Sequence, residues 1–184
     1  IGVSTVTMTC DNNMPQYQKC GAFIGNVESE SLVQGCSADN VTANVVTQKN
    51  EVHSGGFIGR VGGSNTIIRN CTMNGYTINI LGGSINNGNY GAFVGCIEGL
   101  STITDCSIET IMFNTTSTLQ GCNLSGISAK MKGTNASNRS VITGCSVKGF
   151  TYDIKGTMNM KVAIGSITSW VNGNSDITRC MATL

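Results

Sequence analysis

Polar and apolar residues alternate in seven short segments, each closing on a cysteine: residues 4–10, 31–36, 66–71, 101–106, 117–122, 140–145 and 175–180. Counted back from the cysteine, the fifth position carries a hydroxyl in every copy: Thr5, Ser31, Thr66, Ser101, Ser117, Ser140 and Ser175. The third position back reads Thr7, Val33, Ile68, Ile103, Leu119, Ile142 and Ile177. Six of these seven are branched and apolar, so that column faces a core. The residue just before the cysteine is Gly35, Asn70, Asp105, Gly121 or Gly144, with Thr9 and Arg179 as exceptions. Gly, Asn and Asp accept the bend conformations that other residues avoid. After the cysteine a polar residue is followed by a mostly apolar one (Ala38, Met73, Ile108, Leu124, Val147, Ala182). Alternation then puts the cysteine and the residue two later on one side. The pattern predicts strand, corner, strand.

A second element precedes some copies. Residues 21–27, 55–61 and 91–97 superimpose as Gly-Gly/Ala-Phe-Ile/Val-Gly-x-Val/Ile, and residues 162–167 form a degenerate fourth copy. Further strands are expected over residues 41–46, 76–81, 110–113, 127–131 and 150–154. A fixed pattern recurring along a chain marks a stacked repeat. A coil in which each turn lies parallel on the one before explains the columns directly, whereas a β-sandwich would produce them only by coincidence. The expected fold is therefore all-β: a parallel β-helix (β-solenoid) of about seven rungs, roughly 30 Å long, with an internal cysteine column. Residues 1–184 are read as one β-helix domain, a segment of a polymer or of a longer chain.

The proposed column consists of Cys10, Cys36, Cys71, Cys106, Cys122, Cys145 and Cys180. It reads either as a ladder of small buried apolar side chains or as bridges between neighbouring rungs, which suit an oxidising compartment. The two remaining cysteines, Cys20 and Cys96, are candidates for a disulfide or an intermolecular link. Cys10 with Cys20 forms one candidate bridge. Cys96 shares a column with Asn26 and Arg60 and should face outward.

Composition narrows the partners. Eleven basic and ten acidic residues leave a net charge of +1, far from the clustered Lys and Arg that phosphate backbones need. Nucleic acid is not expected, and no apolar run reaches membrane-spanning length. Six sequons stand at Asn40, Asn70, Asn114, Asn123, Asn135 and Asn138. Asn70 is read at a corner, Asn123 in an outward column and Asn114, Asn135 and Asn138 in connectors; covalent glycans on the six would spare the core and help solubilise a surface poor in charge. An extracellular or cell-surface glycoprotein is expected.

Gly55-Gly56-Phe57-Ile58-Gly59 followed by Asn70-Cys71-Thr72 resembles the GLUG-type repeat, whose core runs Gly-Gly-hydrophobic-hydrophobic-Gly, then a turn, then a short strand. Residues 21–36 and 91–106 match equally well. The resemblance covers about half the chain. It implies a β-solenoid of large microbial surface and secreted proteins, serving as stalk or passenger, and brings no catalytic residues.

Candidate chemistry is thin. Asp105, Asp153, Asp176, Glu28, Glu30, Glu98 and Glu109 fall in different columns. Asp105 and Glu98 approach across one rung but lack a third group, and hydrolysis of a sugar needs a placed carboxylate pair. His53, the only imidazole, reads as a loop residue without a triad partner. No cysteine pair has zinc-site spacing. No catalytic, cofactor or metal residue is assigned, and the chain is read as a non-enzyme. Its mixed Thr, Gln, Arg and Met column is too irregular for a lattice match to ice.

Both ends of the segment are apolar or small and lack the polar caps that solenoids use. Ends in one phase dock head to tail, a contact that propagates rather than closes. The expected function is an extracellular structural protein, self-assembling into a glycosylated fibril or forming part of a surface stalk. The alternative is an adhesin or carbohydrate-binding module using the loops 82–90 and 132–139. A polysaccharide-acting enzyme is the remaining alternative.

Overall fold

The computed structural model describes residues 4–9, 18–46, 51–159 and 161–183. Among them every regular element is a strand, and the strands stack in chain order into four parallel sheets that wind as a β-solenoid. The long face contains Ser4–Thr9, Ser37–Val46, Thr72–Leu81, Ser107–Thr115, Ser146–Ile154 and Met181–Thr183. The entry face contains Gln18–Gly21, Val52–Gly55, Asn89–Gly91, Asn123–Ser125 and Ala163–Gly165. The middle face contains Ile24–Val27, Ile58–Val61, Val94–Glu98, Ser128–Lys132 and Thr168–Asn172. The closing face, which leads into the cysteine, contains Leu32–Gln34, Ser64–Arg69, Leu100–Thr104, Ser140–Thr143 and Ser175–Thr178.

The coil has about five turns rather than seven, because two of the seven cysteine segments are not closing strands. Ser4–Thr9 lies on Val41 to Val46 of the long face; Cys10 itself lies outside the described residues. Thr118–Gln120 pairs with Ser84–Asn86 in a separate two-stranded patch. The following Asn123 stacks on Asn89, so Cys122 stands at the start of the entry face and leaves the predicted column. The imitation is local: a polar-apolar alternation ending in Gly-Cys suits any buried strand end. At about 4.8 Å per turn the five turns span roughly 20–25 Å.

Five cysteines keep the predicted column. Cys36, Cys71, Cys106, Cys145 and Cys180 are bracketed by continuous registers on both sides, Gln34 on Arg69 before and Ser37 on Thr72 after, and so on up the stack. They are thiols, not disulfides. All five bond the carbonyl two residues earlier: Cys36 to Gln34, Cys71 to Arg69, Cys106 to Thr104, Cys145 to Thr143 and Cys180 to Thr178, at 3.2–3.4 Å. The corner before each one is left-handed: Gly35, Asn70, Asp105, Gly144 and even Arg179 have φ of 51–64°. This is why Gly, Asn and Asp recur there. The hydroxyl column closes the previous corner. Ser31, Thr66, Ser101 and Ser175 donate to the carbonyls of Glu28, Gly62, Glu98 and Asn172 within their own turn, while Ser140 and Ser117 reach the turn before, at Gly99 and Gly82. Four of these six bonds stay within one turn.

The core is a bundle of columns. Ile68, Ile103 and Ile142 stack in register and are fully buried. Phe23, Phe57 and Phe93 stack at 5.3 and 5.0 Å between ring centres. Each Gly-Phe element, expected as one strand, is two. The chain leaves the entry face at Gly55, bends through Gly56-Phe57 and starts the middle face at Ile58. The glycines permit the fold-back: a Cβ on Gly55 would meet the Ile58 carbonyl oxygen, and one on Gly95 would lie 2.6 Å from Gly59 O and Ser54 N.

Candidate functional site

That fold-back creates a recess on the flank of the coil. Because Gly59 and Gly95 let the middle face press on the backbone of the entry face, the outward columns of the two faces converge. The entry face contributes Lys19, His53, Asn89, Asn123 and Ala163 in register. The middle face contributes Asn26, Arg60, Cys96, Lys130 and Trp170. Between them lies a trough. One compartment, about 460 Å³, is lined by Lys19, Glu51, His53, Arg60, Glu98, Lys130 and Lys132. A second, about 200 Å³, is lined by Glu51, Asn87, Asn89, Gly121, Asn123, Lys130 and Trp170. Glu51 and Lys130 line both, so the compartments are neighbours on the flank of the coil.

Ion pairs order the walls. Arg60 bonds Glu98 through Nε and Nη2 at 3.0 and 2.9 Å and reaches Glu28 of the turn below at 2.9 Å. Lys130 bonds Glu51 at 2.7 Å and lies 5.5 Å from the centre of the Trp170 ring. Burial works against the charges of Arg60 and Lys130, but the bonded carboxylates outweigh it and raise both pKa values. Burial likewise opposes the Glu98 charge, and the Arg60 bond outweighs it and holds that carboxyl below its ordinary value. Lys132 makes no ion pair among the described residues; it lies beside Glu98 in register, but Arg60 occupies that carboxylate.

His53 is a strand residue, 2% exposed, and the loop reading is corrected. An amide relay holds it: Asn123 Nδ2 donates to Asn89 Oδ1 at 2.8 Å, and Asn89 Nδ2 lies 3.3 Å from His53 Nδ1. With the Asn89 oxygen occupied as acceptor, its amide nitrogen donates, so Nδ1 accepts and the imidazole proton sits on Nε2. That nitrogen faces Glu51 Oε1 at 3.8 Å. Burial, then the neighbouring Lys130 charge, depress the pKa to about 4, so the ring is neutral at pH 7. Cys96 faces outward as its column implies, yet it is fully buried under this charged layer, and burial pushes its thiol well up.

Glu98 enters the trough, while Asp105 sits at the left-handed corner before Cys106, so the two are not brought together. Asn40 and Asn70 are exposed at positive-φ bends. Asn135 is exposed in a turn whose oxygen accepts from the Ser137 and Asn138 backbone; Asn138 is half-buried. Asn114 belongs to an outward amide ladder with Asn79 and Asn44, spaced 3.0 and 2.6 Å. Asn123 lies inside the trough. Cys20 is half-buried in the strand Gln18–Gly21. No group of three or more His, Cys, Asp or Glu suited to a metal occurs among the described residues, and no described helix is long and apolar enough to cross a membrane.

Sequence reasoning passed over Lys19, Glu51, Asn89, Lys130, Lys132 and Trp170. The available signal was the outward column: it already aligned Asn26, Arg60 and Cys96, and one more copy would have added Lys130. No protein-family model, no curated protein and no solved structure matches the chain.

The second notable surface is the last turn, where core columns surface. Ile177 is 39% exposed while Ile142 beneath it is fully buried. Tyr152 is 53% exposed above a buried Phe113, and Val171 47% above a buried Met131. At the opposite side of the stack Phe23 and Leu32 are exposed.

Proposed function

We propose that the chain is an extracellular structural coil, a segment of a glycosylated fibril or surface stalk that lengthens by stacking a further turn on its last one. The observation that carries this reading is the exposure of Tyr152, Val171 and Ile177, which occupy columns that are dry in every inner turn. Their strands also present unpaired backbone groups, a template for another parallel strand. A second copy offers matching columns through its first turn, and that head-to-tail contact propagates. The Gly-Gly-Phe-Ile-Gly elements and their resemblance to the GLUG-type repeat support the surface setting, as do the exposed sequons at Asn40, Asn70 and Asn135. The reading needs no catalysis and no cofactor.

Light scattering and electron microscopy of the 184-residue chain over a concentration series test it. Oligomers that lengthen with concentration, and that vanish in Ile177→Lys/Val171→Lys, are expected. Monodisperse monomer at all concentrations overturns it.

A further inference from the structure

We propose that the flank trough is a binding site for an acidic saccharide: a linear sugar chain bearing carboxylates, laid along the coil axis between the entry and middle faces. This goes beyond the stacking reading, since the trough lies on the side of the coil and not at either end of the stack.

Shape argues first. The two compartments, about 460 and 200 Å³, adjoin at the bonded Glu51–Lys130 pair, and their linings come from several turns. A recess lined by groups that repeat turn after turn suits an extended, repeating ligand.

Charge argues second. Lys19, Arg60, Lys130 and Lys132 line the larger compartment against Glu51 and Glu98, with His53 neutral. The carboxylates are committed: Glu98 to Arg60 and Glu51 to Lys130. Lys132 is left uncompensated among the described residues, and Lys19 has only a 3.7 Å contact with the exposed Glu28. A ligand carboxylate at Lys132 gains a charge-assisted bond without displacing an internal pair. A dense polyphosphate would meet Glu51 and Glu98, which repel it. Spaced single charges separated by hydroxyls fit the alternation.

Surface chemistry argues third. The smaller compartment presents the amides of Asn87, Asn89 and Asn123 beside the half-buried Trp170. Asn123 spends its nitrogen on Asn89, which leaves its oxygen to accept a sugar hydroxyl. Amides that donate and accept, next to an aromatic ring with an apolar body, match a pyranose that has polar edges and an apolar face.

The test is calorimetric titration of the full chain, made in a bacterial host so that Asn123 is bare. The probes are a glucuronic acid tetrasaccharide, its carboxyl-reduced neutral counterpart and inorganic phosphate. Saturable binding of the acidic tetrasaccharide is expected, about tenfold weaker for Lys132→Gln, the value of one charge-assisted contact. Lys132 is exposed, so this variant should fold as the parent does, and circular dichroism checks it. The single imidazole resonance should move on binding, since His53 lines the trough. No binding of the acidic probe, equal binding of the neutral probe, binding of phosphate as tight as the tetrasaccharide, or an unaffected Lys132→Gln each overturns the proposal. None of these outcomes bears on light scattering, so the two readings fail separately.

Discussion

Acidification should weaken this fold through one residue, His53. Its ring is 2% exposed and faces Lys130 and Arg60 as cations and Glu51 and Glu98 as carboxylates. Burial and Lys130 lower its pKa from 6.5 to about 4. In the unfolded chain the imidazole takes a proton near 6.5; in the folded chain it does so only near 4. Between those values the unfolded state binds the extra proton, so stability is complete above about pH 6.5 and falls as pH drops through the window. The gap amounts to about 3 kcal/mol at its acid limit, and about 2 kcal/mol is already lost at pH 5. That is a sizeable part of a typical domain's stability. Urea unfolding at pH 7, 6 and 5 reads the loss. His53→Gln keeps an acceptor for Asn89 and removes the titration, so its stability should be nearly flat over this range. Comparing the two chains cancels the carboxylates they share. As the chain has one histidine, its imidazole carbon-bound proton resonance titrates alone and reports the pKa directly. Parallel pH dependences of the two chains, or a resonance titrating at pH 6 or above, would refute the reasoning.

Three further outcomes follow from the stack. Ile103→Ala removes a fully buried side chain from the middle of its column and should cost about 2–5 kcal/mol in chemical denaturation. Gly95→Ala places a methyl group 2.6 Å from two backbone atoms and should cost about 2–3 kcal/mol, whereas Gly83→Ala, which meets nothing within 4 Å, should be silent. Cys71, Cys96, Cys106 and Cys122 should resist a thiol reagent in the native chain and react once it is unfolded: all are buried thiols, and each pKa is raised, by burial at Cys71, Cys96 and Cys122, and at Cys106 by the thiol bond with Cys145 first and burial second. Fast native labelling of these four would contradict their burial.

Much of the coil was legible because inward columns leave a local mark. The run Ile-x-x-Cys with Gly, Asn or Asp before the cysteine encodes an inward residue, a left-handed corner and a second inward residue within six positions. The same brevity misled at Ser4–Thr9 and Thr118–Gln120, where an equivalent alternation occupies the long face and a side patch. Which sheet a strand joins depends on partners about 35 residues away, as in the Asn44–Asn79–Asn114 ladder, and short-range alternation is blind to it. The trough was hidden for a related reason. Its walls are outward columns, which tolerate many residue types, and its depth comes from backbone contact at Gly59 and Gly95. His53 looked like a loop residue because no local period marks a four-residue strand, Val52–Gly55, buried on both sides.

One turn is longer than its neighbours, and the surplus is confined to one place. Glu98 is in register with Lys132, and Ser101 with Ser140, so the extra residues all fall in the loop 133–139, pinned by Asn135 and Asn138. The columns resume unshifted on the far side. A graft of foreign peptide at this seam would therefore hang from the coil like a label on a rod, repeated at regular intervals wherever copies are strung together.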